Sequence, residues 1–241
     1  MSGHSQFKNI MYRKGAQDAK KARLFAKIAR EITVSAKIGG QEASSNPRLR
    51  AVLAVARENN MPKDNIDRAL TKALGADASS NYEEVRYEGY GPCGVAVIVE
   101  ALTDNRNRTA SEVRSLFAKF GGNLGETGSV SFLFDKIGHM VYKNLPGGFD
   151  TAFDFSIDVG AENVNQLGDG YIEIITSVEN FSAIRDDFIK KFGDPIDSSL
   201  VWMPASLVPC LQDQKETLMK LIDCLEENDD VQKVFYNLDD E

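Results

Sequence analysis

The pattern of apolar residues changes at Ala76–Asn81, and that change decides what this chain can fold into. Ahead of it, apolar side chains recur with the period of a helix that buries one face. Beyond it, short apolar runs of strand length alternate with helical stretches and are broken by Gly and Pro. Residues 76–81 are small and polar and read as a linker. At roughly 150 residues per domain, 241 residues make one large domain or two to three small ones. An apolar fraction of 42% is enough for real cores, so disorder throughout is excluded.

Charge divides at the same place. Residues 1–75 carry 15 Lys/Arg and 6 Asp/Glu, a net of +9. The remainder carries 13 and 30, a net of −17, so the overall −8 conceals a basic module joined to an acidic one. Two readings follow. The basic part docks on its own acidic remainder, or it attracts an external polyanion by releasing counterions.

Residues 16–38 read as one long helix. Phe25, Ile28, Ala29, Ile32 and Ala36 form its apolar stripe. Lys20, Arg23, Lys27, Arg30 and Lys37 form a basic stripe beside it, and Gly39-Gly40 ends the helix. Asn46-Pro47 opens a second helix as cap and first residue, buried through Leu49, Val52, Leu53 and Ala56. Met61-Pro62 opens a third, buried through Ile66, Ala69, Leu70 and Leu74.

After the linker, strands are expected at Val85–Glu88 and Val95–Leu102. A capping box at Thr109–Glu112 opens a helix through Phe120, and Val130, Phe132 and Phe134 alternate as a strand. Next come a strand at His139–Lys143, a helix at Phe149–Val159, a strand at Tyr171–Thr176 and a helix at Asn180–Phe192. Strands near Leu200–Met203 and Ser206–Val208, a helix at Lys215–Glu226 and a strand at Val231–Tyr236 end the chain. The last helix and strand complete the sheet begun at Val85, and the stretch between is an insertion. The class is α+β. The domains are residues 1–76, a discontinuous domain of 77–134 and 205–241, and an inserted domain of 135–204.

Chemistry-bearing motifs are few. Gly121–Ser129 is Gly-rich, but it precedes a strand and lacks the Gly-Lys-Ser/Thr signature, so it reads as a turn before a phosphate loop. Asp104–Arg108 has a calcium-loop rhythm, but Arg106 and Arg108 stand where ligands are needed. Phe132 and Phe134 have the spacing of base-stacking strand aromatics without the flanking signature, and read as core. Cys93, Cys210 and Cys224 have no metal or redox spacing, and their odd number argues against a disulfide framework. His4 and His139 are too far apart in sequence to mark a zinc site. Glu100, Asp104 and Arg106 could line a strand end, but no His or Cys neighbours them, so no catalytic residue, metal or cofactor is expected. The longest apolar window, Leu200–Leu211, is broken by Pro204 and Pro209 and spans no membrane.

The basic start is the informative element. Lys8, Arg13, Lys14, Lys20, Lys21, Arg23, Lys27, Arg30 and Lys37 stand against only Asp18 and Glu31 before residue 40. Phe7 and Tyr12 lie among them, and aromatics stack on exposed bases. These nine cations are the expected nucleic-acid contacts.

At these residues the chain resembles the YebC family, from Met1 to about Asp239. The matching stretches are Met1-Ser-Gly-His-Ser5, Gly15-Ala-Gln-Asp-Ala-Lys20, Arg30-Glu-Ile-Thr33, Asn46-Pro-Arg-Leu-Arg50 and Met61-Pro-Lys-Asp-Asn-Ile66. The most specific are Asn107-Arg-Thr-Ala-Ser-Glu-Val-Arg114 and Phe120-Gly-Gly-Asn-Leu-Gly-Glu-Thr-Gly-Ser129. The resemblance implies a helical N-terminal domain before two α/β domains, one inserted in the other, with no enzyme activity. It implies a DNA-binding transcriptional regulatory protein; relatives act as translational activators or are linked to ribosomes. With the family motif starting at Met1, it also implies a cytoplasmic protein of bacterial type without a transit peptide. The chain departs from the family in having Gln6-Phe7 for Lys-Trp, and Met11-Tyr12 for a basic residue and His, so its arm is less basic.

The expectation is therefore a regulator of gene expression that grips DNA phosphates through its basic helical domain. The alternatives are a ribosome-associated translation factor contacting RNA, and a protein-interaction module using the acidic α/β domains. Exchanging Lys20, Arg23, Lys27 and Arg30 for Glu is expected to abolish binding and leave the helix folded.

Overall fold

The computed structural model describes residues 18–75 and 82–239, with side chains from Lys21 onward. Contacts gather into two compact units. One is Phe132–Leu207; the other combines the described residues up to Ser131 with those from Val208 on.

The second unit begins with three helices, α1 (Asp18–Gly39), α2 (Pro47–Glu58) and α3 (Lys63–Leu74). The periodic residues make their core: Ile28, Ile32 and Ala36 of α1 pack with Leu49, Val52 and Ala56 of α2 and with Met61 and Ala69. Asn46 caps α2 as expected, its Oδ1 accepting from the Leu49 amide at 3.0 Å. Its Nδ2 also donates to the carbonyls of Ser35 (2.8 Å) and Gly40 (2.7 Å), tying the end of α1 to the start of α2. That buried amide leaves no room for a side chain at Gly39, where a Cβ would lie 2.6 Å from Asn46 Nδ2.

An antiparallel sheet follows, built from β1 (Glu83–Tyr90), β2 (Ala96–Thr103) and β3 (Asn123–Leu124) and completed by β8 (Val231–Tyr236), in the order β3-β1-β2-β8. The last strand does complete the sheet begun near Val85. Helices α4 (Arg106–Lys119) and α7 (Gln212–Glu227) cover it, packing Val113, Phe117, Leu218, Leu221 and Leu225 on Val97, Val99 and Ala101. Helix α4 starts a turn earlier than its capping-box pattern predicts. Asn105 is the cap, accepting from the Arg108 amide at 3.1 Å, because the Thr109 hydroxyl is engaged elsewhere. The structure also corrects the reading of the cysteines. Cys93, in the turn after β1, is disulfide-bonded to Cys210, just ahead of α7, with Cα atoms 5.6 Å apart although 117 positions separate them. Only a contact that the fold creates could pair them, and spacing alone does not show it.

The other unit is a second antiparallel sheet, β4 (Phe134–Lys143), β5 (Asn163–Gly168), β6 (Tyr171–Thr176) and β7 (Asp197–Pro204), in the order β5-β6-β4-β7. Helices α5 (Gly148–Val159) and α6 (Phe181–Phe192) supply a core with Met140, Tyr142, Ile172 and Ile174. Two expectations change here. The expected strands at Val130–Phe134 and His139–Lys143 are one strand that begins at Phe134, after a 3-10 turn at Ser131–Leu133. Phe134 is core, but Phe132 is 72% exposed. The expected strand at Ser206–Val208 is a single bridge from Val208 to Leu238. The opposite face of β4 and β6 holds a buried charge cluster. His139 Nε2 lies 2.8 Å from Glu173 Oε1, Asn165 donates to Glu173 Oε2 at 2.8 Å, and Asp197 Oδ2 is 3.7 Å from His139 Nδ1. Among the described residues no helix is long and apolar enough to cross a membrane.

Candidate nucleic-acid interface

The nine expected cations separate into three groups. Lys8, Arg13, Lys14 and the side chain of Lys20 lie outside the described residues. Lys21 and Lys37 are exposed on α1, and Lys21 Nζ stands 5.8 Å from the centre of the Phe25 ring. Lys27 and Arg30 face inward, and the half-exposed Arg23 lies on the same side, against the acidic end of α7 and the turn that follows it.

Each of these three has a partner there. Arg23 pairs with Glu227 at 3.0 Å. Lys27 Nζ donates to the Glu226 carbonyl at 2.7 Å. Arg30 donates to the carbonyls of Asp229 and Leu102 and to Asp230 Oδ1, the last at 3.0 Å. A helix C-terminus exposes carbonyls and the negative end of its dipole, so cations are favoured there. Burial pushes the Lys27 pKa down, and the neighbouring Glu226 and Asp229 charges only partly oppose it. The reading in which the basic part docks on its own acidic remainder holds for these three residues. The four-Glu variant would therefore disturb docking as well as any external contact.

Asp230 is the hub of this docking. Its side chain is 5% exposed and accepts from Arg30 (3.0 Å), Arg108 (2.7 Å), Thr109 (2.6 Å) and Thr103 (3.1 Å). Burial alone would push its pKa up. Hydrogen bonds from Thr109, Arg108 and Thr103, with the Arg30 charge, hold it below the ordinary carboxylate value. Sequence reasoning missed it because its partners come from α1, β2 and α4, far away in the chain.

With Arg23, Lys27 and Arg30 engaged, further exposed cations lie on α3. Arg68 and Lys72 are exposed one turn apart on α3 and make no ion pair among the described residues. Lys72 Nζ and the Arg30 guanidinium both lie near the Tyr82 ring, at 5.6 and 5.2 Å from its centre. No charge on α3 was singled out from the sequence; the signal available was the i, i+4 spacing of Arg68 and Lys72 on a short helix.

Residues 82–238 match the family model for the TACO1/YebC second and third domain, and residues 5–76 match that for the TACO1/YebC N-terminal domain. The chain belongs to the TACO1/YebC family. A solved structure of a conserved hypothetical protein from Aquifex aeolicus is 39% identical, with a TM-score of 0.83 over 94% of this chain and 93% of its own. Two motifs that carry the YebC resemblance have structural work in this chain. Arg108 and Thr109 hold Asp230, so Asn107–Arg114 anchors the docking of α1. Gly121–Ser129 runs from α4 along the sheet edge, where Leu124 pairs with Gly89. The buried Glu88 carboxylate accepts the amides of Val130 (2.9 Å) and Ser131 (2.8 Å) and pins the loop's end. Among the described residues no three His, Cys, Asp or Glu side chains are grouped to hold a metal ion.

Proposed function

We propose that this YebC-family protein is a non-enzymatic regulator of gene expression that acts in the cytoplasm by binding nucleic acid through its helical N-terminal region. The observation that supports this most is the set of exposed cations Lys21, Arg68 and Lys72, which make no ion pair among the described residues, on a module whose Arg23, Lys27 and Arg30 are engaged internally. Docking the module consumes Arg23, Lys27 and Arg30, so the leftover positive charge is not needed for the fold. The acidic remainder repels polyanions and orients the module toward them. Phosphate contacts of this kind supply affinity without base readout. Control of transcription through DNA agrees with the transcription-regulator label of the matching family model. Action in translation through RNA is the second reading, favoured by a cleft between α1 and α3, lined by Phe25, Ala26, Arg68 and Lys72, that suits unpaired bases.

The test is ultraviolet crosslinking in growing cells, followed by sequencing of the attached nucleic acid. Crosslinks at promoter DNA, lost in Arg68→Glu/Lys72→Glu, support transcriptional control. Crosslinks in ribosomal RNA, lost in the same variant, move the site of action to translation. Recovery of no nucleic acid above background overturns the proposal.

A further inference from the structure

We infer that the cleft between α1 and α3 is a binding site for unpaired nucleotides, so that the protein prefers single strands to duplex. The inference rests on the nucleic-acid reading above and specifies its ligand. The cleft is an open groove of about 580 Å³. Its floor is apolar and small-sided, formed by Ala22, Ala26 and Ala29 with the Phe25 ring. Arg68 and Lys72 stand on its α3 wall, with Asn65 beside them as a hydrogen-bonding group. Lys21 does not line the cleft, but its Nζ lies 5.8 Å from the ring centre of Phe25, which does. No Asp or Glu is among the described residues that line it.

These features match the two halves of a nucleotide. A base is flat and apolar on its faces and polar at its edge, and aromatic and cationic side chains stack on it with little regard to sequence. The phosphate needs the cations. In a duplex the base faces are already stacked on one another, so only phosphates reach the rim and the alanine floor stays unused. An unpaired strand satisfies floor and rim together. An acidic peptide would satisfy the rim alone, with no flat group for the floor.

The experiment is fluorescence anisotropy with labelled RNA and DNA single strands of one sequence, the matching DNA duplex, and poly-glutamate of equal charge. Wild type is compared with Ala26→Trp, which fills the floor without changing charge, and with the milder Ala26→Leu, which secures the result if Trp disturbs the helix. The wild type is expected to bind single strands about tenfold tighter than duplex, and Ala26→Trp to lose about that factor for single strands alone. A gap between the RNA and DNA strands assigns the natural ligand, since only RNA offers a 2′-hydroxyl. Undiminished single-strand binding in both Ala26 variants overturns the cleft while leaving nucleic-acid binding intact. Poly-glutamate binding that falls in step with the strands overturns the choice of nucleotides. Failure of the wild type to bind any strand overturns the underlying nucleic-acid reading.

Discussion

Replacing Asp230 by Ala lowers the unfolding free energy by about 3–5 kcal/mol, the range for removing one member of a buried charged pair. The carboxylate gathers Arg30, Arg108, Thr103 and Thr109 at 2.6–3.1 Å. Its loss removes the anion from the 16%-exposed side chain of Arg30 and takes a charged acceptor from the buried hydroxyls of Thr103 and Thr109, which keep each other and Asn105 as partners. Arg108 is 44% exposed and returns to water, so it adds little. Urea unfolding followed by far-ultraviolet circular dichroism measures the loss. The pH dependence has a definite sign. The folded pKa of Asp230 lies below its unfolded value of 3.8, so this stabilisation is complete above 3.8 and is lost as pH falls through the folded value. Asp230→Asn keeps the shape without the charge and should flatten the acid limb of the stability curve. An Asp230→Ala protein as stable as wild type would mean that the α1 docking is not held by this hub.

His139→Leu is expected to cost the inserted unit a similar amount, about 3–5 kcal/mol, because buried Glu173 loses its cationic partner. The double variant His139→Leu/Glu173→Leu removes the buried charge as well and should recover much of the loss. Trp202, the chain's one tryptophan, lies in β7 of the same unit, so its fluorescence reports this transition. Burial lowers the His139 pKa, but Asp197 and Glu173 outweigh it and raise the pKa to about 9. With an unfolded value of 6.5, the contribution is complete below 6.5 and is lost as pH rises through about 9. Wild-type stability should therefore decline over that interval, and His139→Leu should not share the decline. A double variant no more stable than the single one would show that the cluster is not an isolated ion pair.

Local features of this chain were legible because local physics sets them. The α1 stripe, the Asn46-Pro47 start of α2 and the alternation of helix and strand after residue 82 depend on neighbours within a turn or two. Strand β5, Asn163–Gly168, was missed because its sequence, Asn-Val-Asn-Gln-Leu-Gly, has few apolar residues and pairs at a sheet edge. Thr109 was misread as a cap because a Thr-x-x-Glu pattern does not reveal that Asp230, 121 positions on, claims the hydroxyl. The charge split was plain in the sequence, and it allowed both docking and external binding. Which cation does which depends on contacts such as Lys27 to Glu226, 199 positions apart. The nine-residue set therefore names the module, while the arrangement of α1 against α7 engages Arg23, Lys27 and Arg30 and leaves Lys21 and Lys37 exposed on α1 and Arg68 and Lys72 exposed on α3.

The most direct test of the proposed interface is the salt dependence of strand binding, wild type against Arg68→Gln/Lys72→Gln. Each phosphate contact contributes roughly 0.7 to the logarithmic salt slope on a single strand. Removing both cations should make the slope shallower by about 1.4 and weaken binding at low salt. A slope equal to that of the wild type would contradict the account and return the contacts to residues other than Arg68 and Lys72.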